Sequence, residues 1–129
     1  NECLGYLKNT SDDDLIVDEI AIHSVAADTI CVCKVTGTAA GGSAIVPTNM
    51  HLGSGKTAVA TTMQHTAITG LTDAGRLLNF YLAANTFLTR APKATIAIEK
   101  NSAIAVYTTA NQANTLKVNI HFHYEDAHE

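Results

Sequence analysis

At 129 residues, with 47% apolar and 16% charged residues and a formal net charge of −4, the chain can build one domain around a real hydrophobic core. Its eight Lys and Arg residues stand singly along the sequence, so no basic stripe is available for a phosphate backbone, and nucleic acid is not an expected partner. No apolar run approaches the roughly 20 residues of a spanning helix and no basic-then-apolar signal opens the chain, so no membrane partner is expected either.

Charged content falls below the usual figure of about 25%, which leaves a surface of Thr, Ser, Asn, Gly and Ala and slightly favours close packing against neighbours. Three cysteines without a repeated spacing do not make a disulfide framework. Cys31 and Cys33 lie two apart in an extended-looking run, hence on one strand face, and are expected as buried free thiols in a protein folded in a reducing cytoplasm. With Asn1 where an initiator Met would stand, the start is expected to be processed or incomplete.

In chain order, Leu4 to Lys8 reads as a short strand ended by Asn9-Thr-Ser-Asp-Asp-Asp14, whose side chains favour turns. Leu15 to Ser24 follows, with Ile16, Ile20 and Ile22 on one strand face, Glu19 and His23 on the other, and Asp18 interrupting the apolar face where a bulge or edge is expected. Thr29 to Thr36 is a continuous β-branched run, as in a strand covered on both faces. Gly37 to Ser43 is expected as a flexible loop.

Short Thr-rich strands are expected at Ala58 to Met63 and His65 to Thr69. Thr72 to Ala84 fits a helix through Leu77, Phe80, Tyr81 and Ala84, or a strand through Leu78, Phe80 and Leu82; the β-like neighbours favour the strand. Runs at 86–90, 95–99 and 103–109 have antiparallel-strand lengths. In the last run Leu116, Val118, Ile120, Phe122 and Tyr124 alternate with Lys117, Asn119, His121 and His123, a half-buried strand with one wet face. Eight or nine strands spaced near ten residues predict an all-β fold, an antiparallel β-sandwich or barrel, in a single domain over 1–129.

The turn-rich segment Pro47-Thr-Asn-Met-His-Leu-Gly-Ser-Gly-Lys-Thr57 divides these strands. Gly53-Ser-Gly-Lys-Thr57 resembles the end of a phosphate-binding loop, but the first glycine of that motif would fall at Met50, and the β-branched run after Thr57 suits no helix. A turn between strands is expected instead. His121 and His123 share a strand face and are the weak metal candidates. The pattern differs from the first cupin motif, because Glu125 follows too soon, Glu129 slightly too late, and no glycine intervenes. His23, His51, His65 and His128 are further imidazoles that only the fold could bring near. No serine has a nucleophile-elbow spacing, and Asp12 to Asp14 lacks the alternation of a calcium loop. Asn9-Thr-Ser11 matches a glycosylation acceptor, which requires secretion. No catalytic residue or cofactor is nominated.

Taken together, Gly5-Tyr-Leu-Lys-Asn-Thr-Ser11, the Asp/Leu-rich strand, the 47–57 segment and His121-Phe-His-Tyr-Glu125 resemble the small β-sandwich proteins of tailed-phage virions, particularly head decoration or cement proteins. The resemblance implies a jelly-roll-like sandwich, present in many copies on the capsid exterior, bridging major capsid subunits and self-associating as dimer or trimer, with no enzymatic activity. Tyr6, Lys8 and Asn9 are the contact residues expected on that basis. Two other classes stay open: a receptor- or glycan-binding domain of a virion fibre, disfavoured by the absence of Trp and by Tyr107 and Tyr124 reading as core-facing, and a cupin-like metal-binding domain.

Overall fold

A computed structural model describes residues 2–50, 52–53, 55–64, 68–93, 95–109 and 116–126. Every regular element among them is a strand: β1 (Glu2–Asn9), β2 (Asp14–Ser24), β3 (Asp28–Ala40), β4 (Ser43–Ala44), β5 (Ala60–Gln64), β6 (Thr69–Leu82), β7 (Thr86–Arg90), β8 (Ile96–Ile98), β9 (Ala103–Thr108) and β10 (Leu116–Glu125). They form a six-stranded antiparallel sheet in the order β4-β5-β1-β9-β3-β6, and a second sheet in which β2 carries β10 on one side and β7 and β8 on the other. The chain passes between sheets after β1, β2, β6, β8 and β9, and it is this wrapping that makes the sandwich jelly-roll-like. The strand over 69–82 resolves the choice left open at 72–84, with Phe80 and Leu82 buried and Tyr81 outside.

Phe80, Leu15, Ile20, Ile22, Ile30, Val32 and Val106 are wholly buried between the sheets. Arg90 on β7 places its guanidinium 5.2 Å from the Phe80 ring centroid, closing one end of this core with a cation–π contact between the sheets. In β2 the alternation is not that of a regular strand. His121 pairs with Glu19 and Phe122 with Val17, which leaves Asp18 as the extra residue of a bulge. The bulge shifts the phase, so Leu15 and Val17 join Ile20 and Ile22 in the core while Ile16 is only half-buried. The expectation that Ile16 shares their face is corrected by that one-residue insertion.

The larger sheet is apolar on both faces. Its outer face carries Cys3, Tyr6, Cys31, Cys33, Val35, Ala103 and Ala105, all buried, with Met63 beside Tyr6 on the same sheet and Ile68, Leu71 and Ala39 packed against them. The connectivity explains that cover. Gly41 and Gly42 alone join β3 to β4, yet these strands lie four positions apart, about 19 Å at sheet spacing and well beyond a two-residue reach. The far end of the β3–β6 ribbon must therefore arch over the outer face. Register shifts at Val32/Cys33, Lys34/Val35 and Gly37/Ala40, and positive φ at Gly37, Gly70 and Gly75, mark where it bends. The 37–43 stretch expected as a loop is thus mostly strand, with its glycines serving curvature.

Burial holds two of the thiols, Cys33 and Cys3, protonated. Cys33 is pushed up to about 12, chiefly by desolvation and then by its contact with Cys31 at 2.6 Å between sulfurs; Cys3 is raised to about 11 by desolvation.

The bend yields a direct expectation. A Cβ on Gly70 would stand 2.3 Å from the Thr38 carbonyl oxygen at φ +84°, and one on Gly37 the same distance from Gly70 O at φ +100°. Gly70→Ala should cost about 1–3 kcal/mol of stability in denaturant titration. Gly53→Ala, where a Cβ meets nothing within 4 Å, should be near neutral and serves as the control.

Candidate functional site

The residues expected to touch a partner first need placing on the fold. Tyr6 is 6% exposed and Asn9 0%; Lys8 is half-buried on β1 between Thr61 and Ala103. Tyr6 belongs to the outer-face core. Asn9 is the knot of three segments: its Nδ2 donates to Asp13 O at 2.6 Å and Ile98 O at 2.8 Å, and its Oδ1 accepts from Ser11 N and Oγ at 2.9 and 2.7 Å. Its backbone bonds Ser102 O and Asn101 N. Such satisfaction is what lets an amide sit in an interior. The expectation that Tyr6 and Asn9 form a contact surface is corrected by this burial, and Asn9 presents no free amide for a glycan in the folded chain.

His121 and His123 do lie together on the wet face of β10. The β2 bulge aims Asp18 at His123, whose Nδ1 is 2.8 Å from both Asp18 carboxylate oxygens while its Nε2 is 3.0 Å from Glu125 Oε1. His121 Nδ1 stands 3.9 Å from Glu19 Oε1. An imidazole with an acceptor on each nitrogen is served best by two protons. The His123 ring accordingly titrates above the ordinary 6.5, owing first to Glu125 and then to Asp18, with slight desolvation opposing. The carboxylates flank the ring on opposite sides and do not converge on a common point, and among the described residues no three His, Cys, Asp or Glu side chains are set to hold a metal ion. His23 sits elsewhere on β2, in register with Phe87 and Lys117. His51, His65, His128 and Glu129 lie outside the described residues.

The 47–57 segment leads into extended chain and then β5, with no helix to complete a phosphate cradle. Its two ends are held on the sandwich. Ile45 N donates to Thr62 O at 3.1 Å and Thr62 Oγ1 donates back to Ile45 O. Val59 O accepts from Thr10 N at 3.3 Å and from the Tyr124 hydroxyl at 3.0 Å. Between these feet Asn49 Nδ2 donates to Lys56 O at 3.1 Å, stapling a loop whose Met50 and Leu52 are 82% and 86% exposed. Beside it, a groove of about 580 Å³ opens between β1 and β10, with Leu4, Leu7, Val106, Val118, Ile120 and Phe122 in its wall. At the β6–β7 end, Tyr81 and Phe87 are 77% and 62% exposed.

These exposed apolar side chains are what reading for catalytic and metal motifs passed over. Ile45-Val46, Met50 and Leu52 stand in a turn-rich stretch without strand alternation, and that mismatch was the available signal. Comparison with known proteins gives no matching family model, no matching curated protein and no matching solved structure.

Two outcomes follow. Asn9→Ala strands two carbonyls and Ser11, and should cost on the order of 2–3 kcal/mol in equilibrium unfolding. For His123 the folded ring binds its proton more tightly than the unfolded one. Its stabilisation is then complete below 6.5 and lost as pH rises through the raised folded value. Ring NMR titration should place the His123 midpoint above 6.5, and Asp18→Asn should lower it.

Proposed function

We propose that this chain is a virion structural protein that decorates a phage capsid exterior and bridges neighbouring major capsid subunits, its role mechanical and its partners protein. The observation that carries this reading is the apolar surface of an otherwise satisfied sandwich. Val46, Met50, Leu52, Val59, Tyr81 and Phe87 each expose more than half their area, where scattered single exposures would be ordinary. Sixteen per cent charge lowers repulsion between close-packed copies, and the resemblance of the 5–11, 47–57 and 121–125 segments to decoration proteins points the same way. Many modest contacts repeated by symmetry would resist internal pressure through avidity.

A second reading, a glycan- or receptor-binding domain of a virion fibre, gains support from Tyr81 and Phe87, the solvent-facing aromatics such a site needs. Capsids assembled with and without the protein separate the readings. Decorated particles should survive heat or osmotic shock that bursts undecorated ones; equal survival, with binding to whole host cells, would favour the second.

A further inference from the structure

The edge of a sheet is a row of backbone donors and acceptors that can template another strand, and most edges of this sandwich are blunted. β4 has two residues, β8 three and β7 five. β6 is long but broken, by three register shifts against β3 and by positive φ at Gly70 and Gly75. β10 carries none of these devices. Among the described residues it pairs with β2 alone, and its ten residues include neither Gly nor Pro. The extra residue of the bulge at Asp18 belongs to β2, so exposure on β10 alternates without a break. Its core-facing Val118, Ile120, Phe122 and Tyr124 stay half-buried, as side chains do where no strand flanks them.

The order of side chains along β10 makes the strand complementary to itself. When a two-fold axis through a sheet creates an antiparallel pair, the residue at the axis meets its own copy, and residues equally far on either side meet each other on one face. The fullest overlaps put either Ile120 or His121 at the axis, and charge decides between them. With Ile120 there, Lys117 faces the imidazole of His123 and Glu125 has no partner. With His121 there, residues 117–125 all pair: Lys117 faces Glu125 at both ends and Asn119 faces His123, while Val118 meets Tyr124 and Ile120 meets Phe122 on the core side. Opposite charges and aliphatic–aromatic neighbours are the cross-strand pairs that stabilise a sheet.

We infer that β10 pairs antiparallel with β10 of a second copy, centred on His121, so that the four-stranded sheets of two molecules join across a two-fold axis. The partner is the chain itself, and the contact is read on purified protein, without capsids.

Sedimentation over a wide concentration range should show a species of twice 13.6 kDa. Lys117→Glu sets like charges opposite each other at both ends and should weaken the dimer about tenfold or more; adding Glu125→Lys should restore it, because the pairs re-form with their signs exchanged. Both positions are exposed, so both variants should keep the wild-type far-UV circular dichroism. Under oxidation His121→Cys should link to itself, the native thiols being buried. Lys117→Cys should not, since its two copies lie eight residues apart along the strands, about 26 Å at ~3.3 Å per residue. A chain that stays monomeric, a dimer indifferent to Lys117→Glu, a double variant no tighter than the single one, or Lys117→Cys linking as readily as His121→Cys would each overturn the inference. Capsids stabilised by a chain that remains monomeric would count against the edge pairing alone. A β10 dimer that leaves capsid survival unchanged would support the pairing and count against the decoration reading alone.

Discussion

Burial of the large sheet on both faces is the constraint from which the rest of this molecule follows. β1, β9 and β3 lie inside a six-stranded sheet, and a second sheet can cover only one side of them. The other side is covered by the chain itself, through the arching β3–β6 ribbon and Ile68 just ahead of β6. That requirement fits the small side chains Ala103, Ala105, Cys31 and Cys33 that β9 and β3 place on the outer face, which let a covering backbone come close. It also explains why glycines with positive φ concentrate in the ribbon, where the strand bends and, at Gly37 and Gly70, the close approach of two backbones excludes a Cβ. The cysteines follow as a consequence: they are small apolar fillers, Cys3 and Cys33 raised in pKa by desolvation, and their place is in a core.

The same asymmetry sets the surface. Six strands face a sheet in which β10 has only one neighbour, so the sandwich is less fully closed along β10 than at its centre. Perfect alternation from Leu116 to Tyr124 therefore coexists with half-burial of Val118, Ile120, Phe122 and Tyr124. Tyr124 bridges this open side to the 45–59 loop by its hydroxyl bond to Val59, and the Phe122–Tyr124 edge-to-face pair, with rings 6.0 Å apart, stiffens it. Ion pairs add local order without defining the fold. The Asp18–His123–Glu125 chain fixes the wet face of β10 and depends on pH, because its central group is an imidazole.

The legible parts of the fold were those governed by nearest neighbours along the chain. The alternation of 116–124, the two-sided apolar run at Thr29–Thr36 and the misfit of Asp18 are each visible within a few adjacent residues, and each is found as a strand or bulge. Ile16 was misassigned for the same reason: a period of two cannot say on which side of a bulge the phase changes. Tyr6 and Asn9 stand as contact residues through the resemblance alone, and no local pattern carries that placement. Only the pairing of β1 with β9 and the approach of Ile98 and Ser102 supply the partners that bury them.

By itself, then, the sequence determined the class of structure, all-β with antiparallel strands, because hydrophobic periodicity and turn chemistry are local properties carried by adjacent residues; that the strands form a sandwich and not a barrel was decided by their pairing into two sheets. Tertiary structure decided which faces are covered, since cover comes from segments distant in sequence: Ile68 within the outer-face core, Asp18 against His123, Tyr124 bonded to Val59. It also decided that the 47–57 segment is a stapled loop with bare apolar side chains. Exposure is a relation between a residue and everything packed around it, and no window of sequence contains that relation.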